Sequence, residues 1–128
     1  MDRKQDQSSP FLARAWARFE AAEIRLMEAK AAACFFGLAF LNGRLLDTAH
    51  LGALSRRIQQ AEEAHEAARQ ALARIRPGAP RYALNETEAV ERFIRELERL
   101  AADHGLPDGL WPRADLYAMA TELIRSTP

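Results

Sequence analysis

Three features of the 128-residue chain predict an all-α protein. Apolar residues recur in alternating steps of three and four over two long stretches, the signals that stop a helix are confined to short segments, and no run alternates as a strand does. The segment lengths refine this to a long antiparallel helical hairpin plus two shorter helices, with the bundle completed within a monomer or by dimerisation. Residues 1–9 read as a flexible N-terminus and residues 10–128 as a single helical domain, with helices at about 10–41, 47–76, 86–104 and 113–126.

The first helix opens at Ser8, Ser9 and Pro10, where a serine can cap and proline fits the first turn. Its core-facing series is Ala15, Phe19, Ala22, Leu26, Ala29, Ala33, Phe36 and Phe40. A second stripe of Trp16, Ile24, Met27, Phe35, Leu38 and Leu41 widens the apolar face, so the last third should be buried nearly all round. Asn42 and Gly43 supply the stop.

Asp47 or Thr48 can cap the second helix, whose seam is Leu51, Leu54, Ile58, Ala61, Ala68, Leu72 and Ile75. His65 fills the one slot in that rhythm that is not apolar. "PGAP" at 77–80 ends the helix, and the short connection before it makes the first two helices antiparallel neighbours. "NETE" at 85–88 has the form of a capping box, with Asn85 as cap and Glu88 reaching back to its amide. The third helix then presents Val90, Phe93, Ile94, Leu97, Leu100 and Ala101 at helical spacing and closes at His104 and Gly105. The fourth offers Leu116, Tyr117, Ala120, Leu123 and Ile124.

A helix of about 30 residues reaches about 45 Å at 1.5 Å per residue. The two short helices, placed end to end with a bend at "GLPDGLWP" (105–112), could cover one side of the hairpin but not both, which leaves the other solvated or facing a partner. The two-in-seven seam of the second helix is the pattern of helix pairing, and it points to a homodimer.

Composition narrows the function classes. The apolar fraction of 48% and charged fraction of 28% are those of a folded protein, and a net charge of zero gives no global attraction to nucleic acid or anionic lipid. All the cationic residues except Lys4 and Lys30 are arginines, denser in residues 43–81, whereas residues 82–128 are acidic on balance; the two segments can lie together with complementary surfaces. The single cysteine, Cys34, lies beside Phe35 and Phe36 and reads as a buried thiol in a reducing compartment. The N-terminus is too polar for a secretory signal, and the most apolar run, 31–41, is far shorter than the roughly 20 residues of a bilayer span. A cytoplasmic location and no membrane partner are the expectation.

Chemical candidates are sparse. Glu62 and His65 form Glu-x-x-His, half of a carboxylate-bridged metal motif, with Glu20, Glu23 and Glu28 on the facing helix. The second half is missing, since Asp47 and His50 lie about 22 Å away along the same helix, and no metal or other cofactor is expected. Arg99 and His104 have a spacing that resembles the Arg/His pair of HEPN-like helical-bundle ribonucleases, with His as acid or base and Arg holding phosphate. A histidine in the last turn also suits the helix dipole without any catalytic role. Arg74, Arg76, Arg81 and Tyr82 could touch a phosphate backbone, yet no basic recognition helix accompanies them, so nucleic acid is not the favoured partner. Trp16, Trp111 and Tyr117 read as core packing ahead of a stacking site. No motif reaches a known family.

The reading is a small helical interaction protein, a regulator, adaptor or inhibitor of a larger assembly, rather than an enzyme. Its partner-binding residues are expected to be Leu54, Arg57, Ile58, His65, Arg69 and Leu72. His65 is expected to meet either a carboxylate or its own symmetry mate across the seam.

Overall fold

The computed structural model describes residues 10–41, 48–106 and 112–125, except for the side chains of 38–41, 48–50, 113 and 123–125. Among these residues the fold is all-helical: α1 (Pro10–Leu41), α2 (Thr48–Ile75), α3 (Glu86–Asp103) and α4 (Arg113–Arg125). The assignments made above to Asn42 and Gly43, to Trp111, and to the side chains of Leu38, Phe40, Asp47, His50, Leu123 and Ile124 lie outside the described residues.

The central element is α1, which packs against both α2 and α3, while α4 packs on α3. Two stripes on α1 explain this. In its N-terminal half Leu12, Ala15, Phe19 and Ala22 join Ala68 and Leu72 of α2. In its C-terminal half Ala31, Ala32 and Phe35 join Val90, Phe93, Ile94 and Leu97 of α3, Leu116 and Ala120 of α4, and Leu54 of α2. The predicted core series holds from Ala15 to Ala29 and then hands over: Ala33 and Phe36 are half-buried, and Phe35 is buried instead. No residue from Leu26 to Gly37 is exposed, as expected for a helix clasped from two sides.

The short helices are not laid end to end. Leu116 and Ala120 turn α4 back onto α3, where Met119 also reaches Cys34 of α1, Sγ to Sδ 3.5 Å. The reason is burial: an extended α4 would leave Leu116 and Ala120 in water, whereas folding back removes them from solvent at about 25 cal/mol per Å². Burial also pushes the Cys34 thiol up to about 11, so it stays protonated and unreactive at neutral pH. Trp16 packs with the first of these clusters and Tyr117 with the second, so the two are core residues rather than parts of one stacking site.

Local chemistry fixes both ends of α3. The Asn85 side chain accepts from the Glu88 amide at 2.8 Å, and its own amide donates to the Glu88 carboxylate at 2.6 Å, so Glu88 reaches the cap's side chain. At the other end Leu106 N–H donates to Ala101 O and Gly105 N–H to Ala102 O, with Gly105 at φ +70°. This is a Schellman motif, and glycine supplies its left-handed residue. Because the cap satisfies an otherwise orphaned amide, Asn85→Ala should destabilise the protein by about 1 kcal/mol, read as a shift of the urea midpoint at constant slope. An unchanged midpoint would show that the α3 start is held by the preceding loop alone.

Candidate functional site

Between α1, α2 and the connection to α3 lies a buried polar cluster. Glu23 is 1% exposed and His65 9%. A carboxylate so far from water is strongly unfavourable unless donors surround it. Three do. His65 Nε2 lies 2.9 Å from Oε1, the Ala83 amide donates to Oε1 at 2.9 Å, and the Leu84 amide donates to Oε2 at 2.6 Å. Glu23 accepts, so Nε2 carries the proton in that contact.

The imidazole is held on its faces as well as its edge. Phe19 stacks on it at 5.2 Å and 25°, and Tyr82 at 6.3 Å and 18°. Arg81 Cζ lies 5.5 Å from the centroid of the Tyr82 ring, within cation–π range. Sequence spacing accounts for part of this: Phe19 and Glu23 are one helical turn apart on α1, and His65 occupies the seam of α2 directly across from them. The loop completes the cluster. "PGAP" breaks α2, Ala79 and Ala83 pack back against the first core cluster, and Leu84 is buried, which delivers two consecutive amides to Glu23.

Beside this cluster opens a cavity of about 310 Å³. Its apolar wall is Leu26, Met27, Leu84 and Ala89, and its polar rim includes Lys30, Arg81 and Glu86. Burial lowers the pKa of Lys30, and the carboxylates of Glu62 and Glu23 work against that shift. Such an arrangement can bind and orient a small molecule, because it joins a concave apolar surface to a few fixed polar groups.

The structure separates the six predicted partner-binding residues. Leu54, His65 and Leu72 lie inside the chain's own core, so α1 covers the part of the seam expected to meet a partner. Arg57 is exposed, Ile58 is half-buried, and Arg69 is paired with Glu66. That pair holds Glu66 down to about 2, mainly through the Arg69 hydrogen bond. Of the two possibilities for His65, the carboxylate is the one present, and it belongs to the same chain.

The other candidates are also placed. Glu62 is exposed, and His65 turns to Glu23 instead of to it. Among the described residues no group of three His, Cys, Asp or Glu side chains comes together as metal donors. Arg99 donates through Nε and Nη2 to the buried Glu96 and through Nη1 to Asp103. His104 Nδ1 bonds the Leu100 carbonyl at 2.9 Å, and its ring packs on Phe35 and Phe36. Both residues thus have structural partners, and neither lines the cavity. No described helix is long and apolar enough to cross a membrane.

No family model, no curated protein and no solved structure matches this chain. The functional reading rests on its own residues.

Sequence reasoning missed the role of Glu23, although a signal was available. Position 23 stands one helical turn from Phe19 and from Met27, inside the apolar face of α1, and His65 is the polar slot in the second seam. An acid inside one apolar face and a histidine inside the other are candidates for a buried pair.

Proposed function

We propose that the protein is a small helical interaction module, a regulator, adaptor or inhibitor of a larger assembly, which acts in the cytoplasm by presenting helix faces to a protein partner and by self-association. One observation carries this reading. Of the described helices only α1 packs along α2, whose 28 residues extend about 42 Å, so most of the outer side of α2 is solvent-facing. Leu51 at one end of that helix is 42% exposed and Ile75 at the other 46%, with Ile58 half-buried and Arg57 exposed between them. Apolar anchors with an arginine beside them have the composition of a protein-binding surface.

The interface therefore shifts from the buried half of the seam to Leu51, Arg57 and Ile58. Light scattering across a concentration series should give a dimer mass for the wild type and a monomer mass for Leu51→Glu combined with Ile58→Glu, with helical circular dichroism retained in both. A wild type that stays monomeric at every concentration would refute self-association through this face.

A further inference from the structure

Beyond partner binding, we infer that the cavity between α1, Arg81–Leu84 and the start of α3 binds a small uncharged molecule that carries a hydrogen-bond donor, the donor meeting His65 Nδ1 and the apolar body lying against Leu26, Met27, Leu84 and Ala89. At about 310 Å³ the cavity sits at the low end of the roughly 300–1,000 Å³ range of ligand pockets, which sets the ligand's size class.

The polar anchor is the half of the imidazole that the protein leaves unused. Glu23 accepts from Nε2–H, so in the neutral ring the free lone pair is on Nδ1. Among the described residues Nδ1 has no hydrogen-bond partner, although His65 is nine-tenths buried. No fully buried side-chain nitrogen or oxygen of the described residues lacks a partner, so Nδ1 keeps contact with solvent space, and the cavity is solvent space that His65 lines. The carboxylate fixes the tautomer, and the Phe19 and Tyr82 rings fix the plane of the imidazole. Such an acceptor is already oriented before a ligand arrives.

The charges on the wall favour a neutral ligand. Glu23 and Glu86 stand against Lys30 and Arg81, two acids and two bases, and each already has compensation. Glu23 faces three donors, and the carboxylates of Glu62 and Glu23 favour the charge of Lys30. Glu86 lies in the first turn of α3, at the positive end of the helix dipole, and the Arg81 guanidinium lies over the Tyr82 ring. An ion entering the cavity would lose water and find no unmet opposite charge. A neutral donor exchanges a bond to water for one to Nδ1, and its apolar body leaves water for the apolar wall.

Indole is a suitable probe. Its controls are 1-benzothiophene, which has the same fused-ring shape and no N–H, and indole-3-carboxylate, which adds a negative charge. Titrated into ¹⁵N-labelled protein, indole should shift the amides of Leu26–Lys30 and Arg81–Leu84 in a saturable way and should move the His65 Nδ1 resonance. Both controls should bind about tenfold or more weakly. Arg81→Ala changes an exposed side chain and should leave indole affinity within about twofold. Indole that shifts none of these amides, an Nδ1 resonance that stays in place at saturation, or either control binding as tightly as indole would overturn the assignment, as would a tenfold loss in Arg81→Ala. Leu51, Arg57 and Ile58 do not line the cavity, so the outcome is independent of self-association.

Discussion

Glu23→Ala should lower the unfolding free energy by about 3–5 kcal/mol, the largest loss expected from a single polar substitution in this chain. Removing the carboxylate orphans three donors at once, His65 Nε2–H and the amides of Ala83 and Leu84. A buried unsatisfied donor typically costs about 1–3 kcal/mol, and water entering from the adjoining cavity relieves part of the sum. Against a total of about 5–15 kcal/mol for a domain of this size, such a loss brings the protein close to unfolding at physiological temperature. Glu23→Gln preserves the shape and one acceptor oxygen, so it should fall between wild type and alanine. The measurement is equilibrium urea unfolding of the three proteins under identical conditions. If alanine lies within 1 kcal/mol of wild type, the loop amides find other partners and Glu23 does not organise the site. His65→Leu in the Glu23→Gln background separates the pair from the loop: coupling above about 0.5 kcal/mol would show that the imidazole and carboxylate act together.

Phe93→Ala should cost a similar amount, about 3–5 kcal/mol, through a different mechanism. The Phe93 ring is fully buried in the cluster where α1, α3 and α4 meet, and its removal leaves a void that Ala31, Ala32 and Ala120 are too small to fill. The effect should also be uneven along the chain. Because α4 packs on α3 through few apolar residues, its amides should lose hydrogen-exchange protection before those of the hairpin. Phe11, 70% exposed, is the internal control, and its alanine variant should stay within about 0.5 kcal/mol of wild type. Uniform loss of protection in Phe93→Ala would mean that the two ends of the bundle unfold as one unit.

These two predictions fall on the two sides of what the amino-acid order reveals. Phe93 was recognisable as core because α3 repeats its apolar residues strictly and is bounded by a cap and a Schellman glycine, all within one or two turns of one another. The boundaries of α1 followed in the same way from Pro10 and from the end of the apolar run at Leu41. His65 was visible as an anomaly for the same local reason. Its partner was not assigned, because the second helix alone offers three nearby acids, Glu62, Glu63 and Glu66, and periodicity does not rank them against a carboxylate 42 residues away. The decision against them is geometric: those three point to solvent, whereas Glu23 shares the seam.

The sequence by itself determined which segments are helical, which stripe of each is apolar and that one titratable ring interrupts the second seam, since helix periodicity, capping and breaking act over four residues or fewer. Tertiary structure alone decided that α4 folds back on α3, that α1 of the same chain covers His65, and that two loop amides some 60 residues from Glu23 close its hydrogen bonding. Those outcomes depend on which surfaces are buried together. Many arrangements satisfy the same local pattern, and the one adopted surrounds the buried carboxylate with three donors and takes Leu116 and Ala120 of α4 out of solvent.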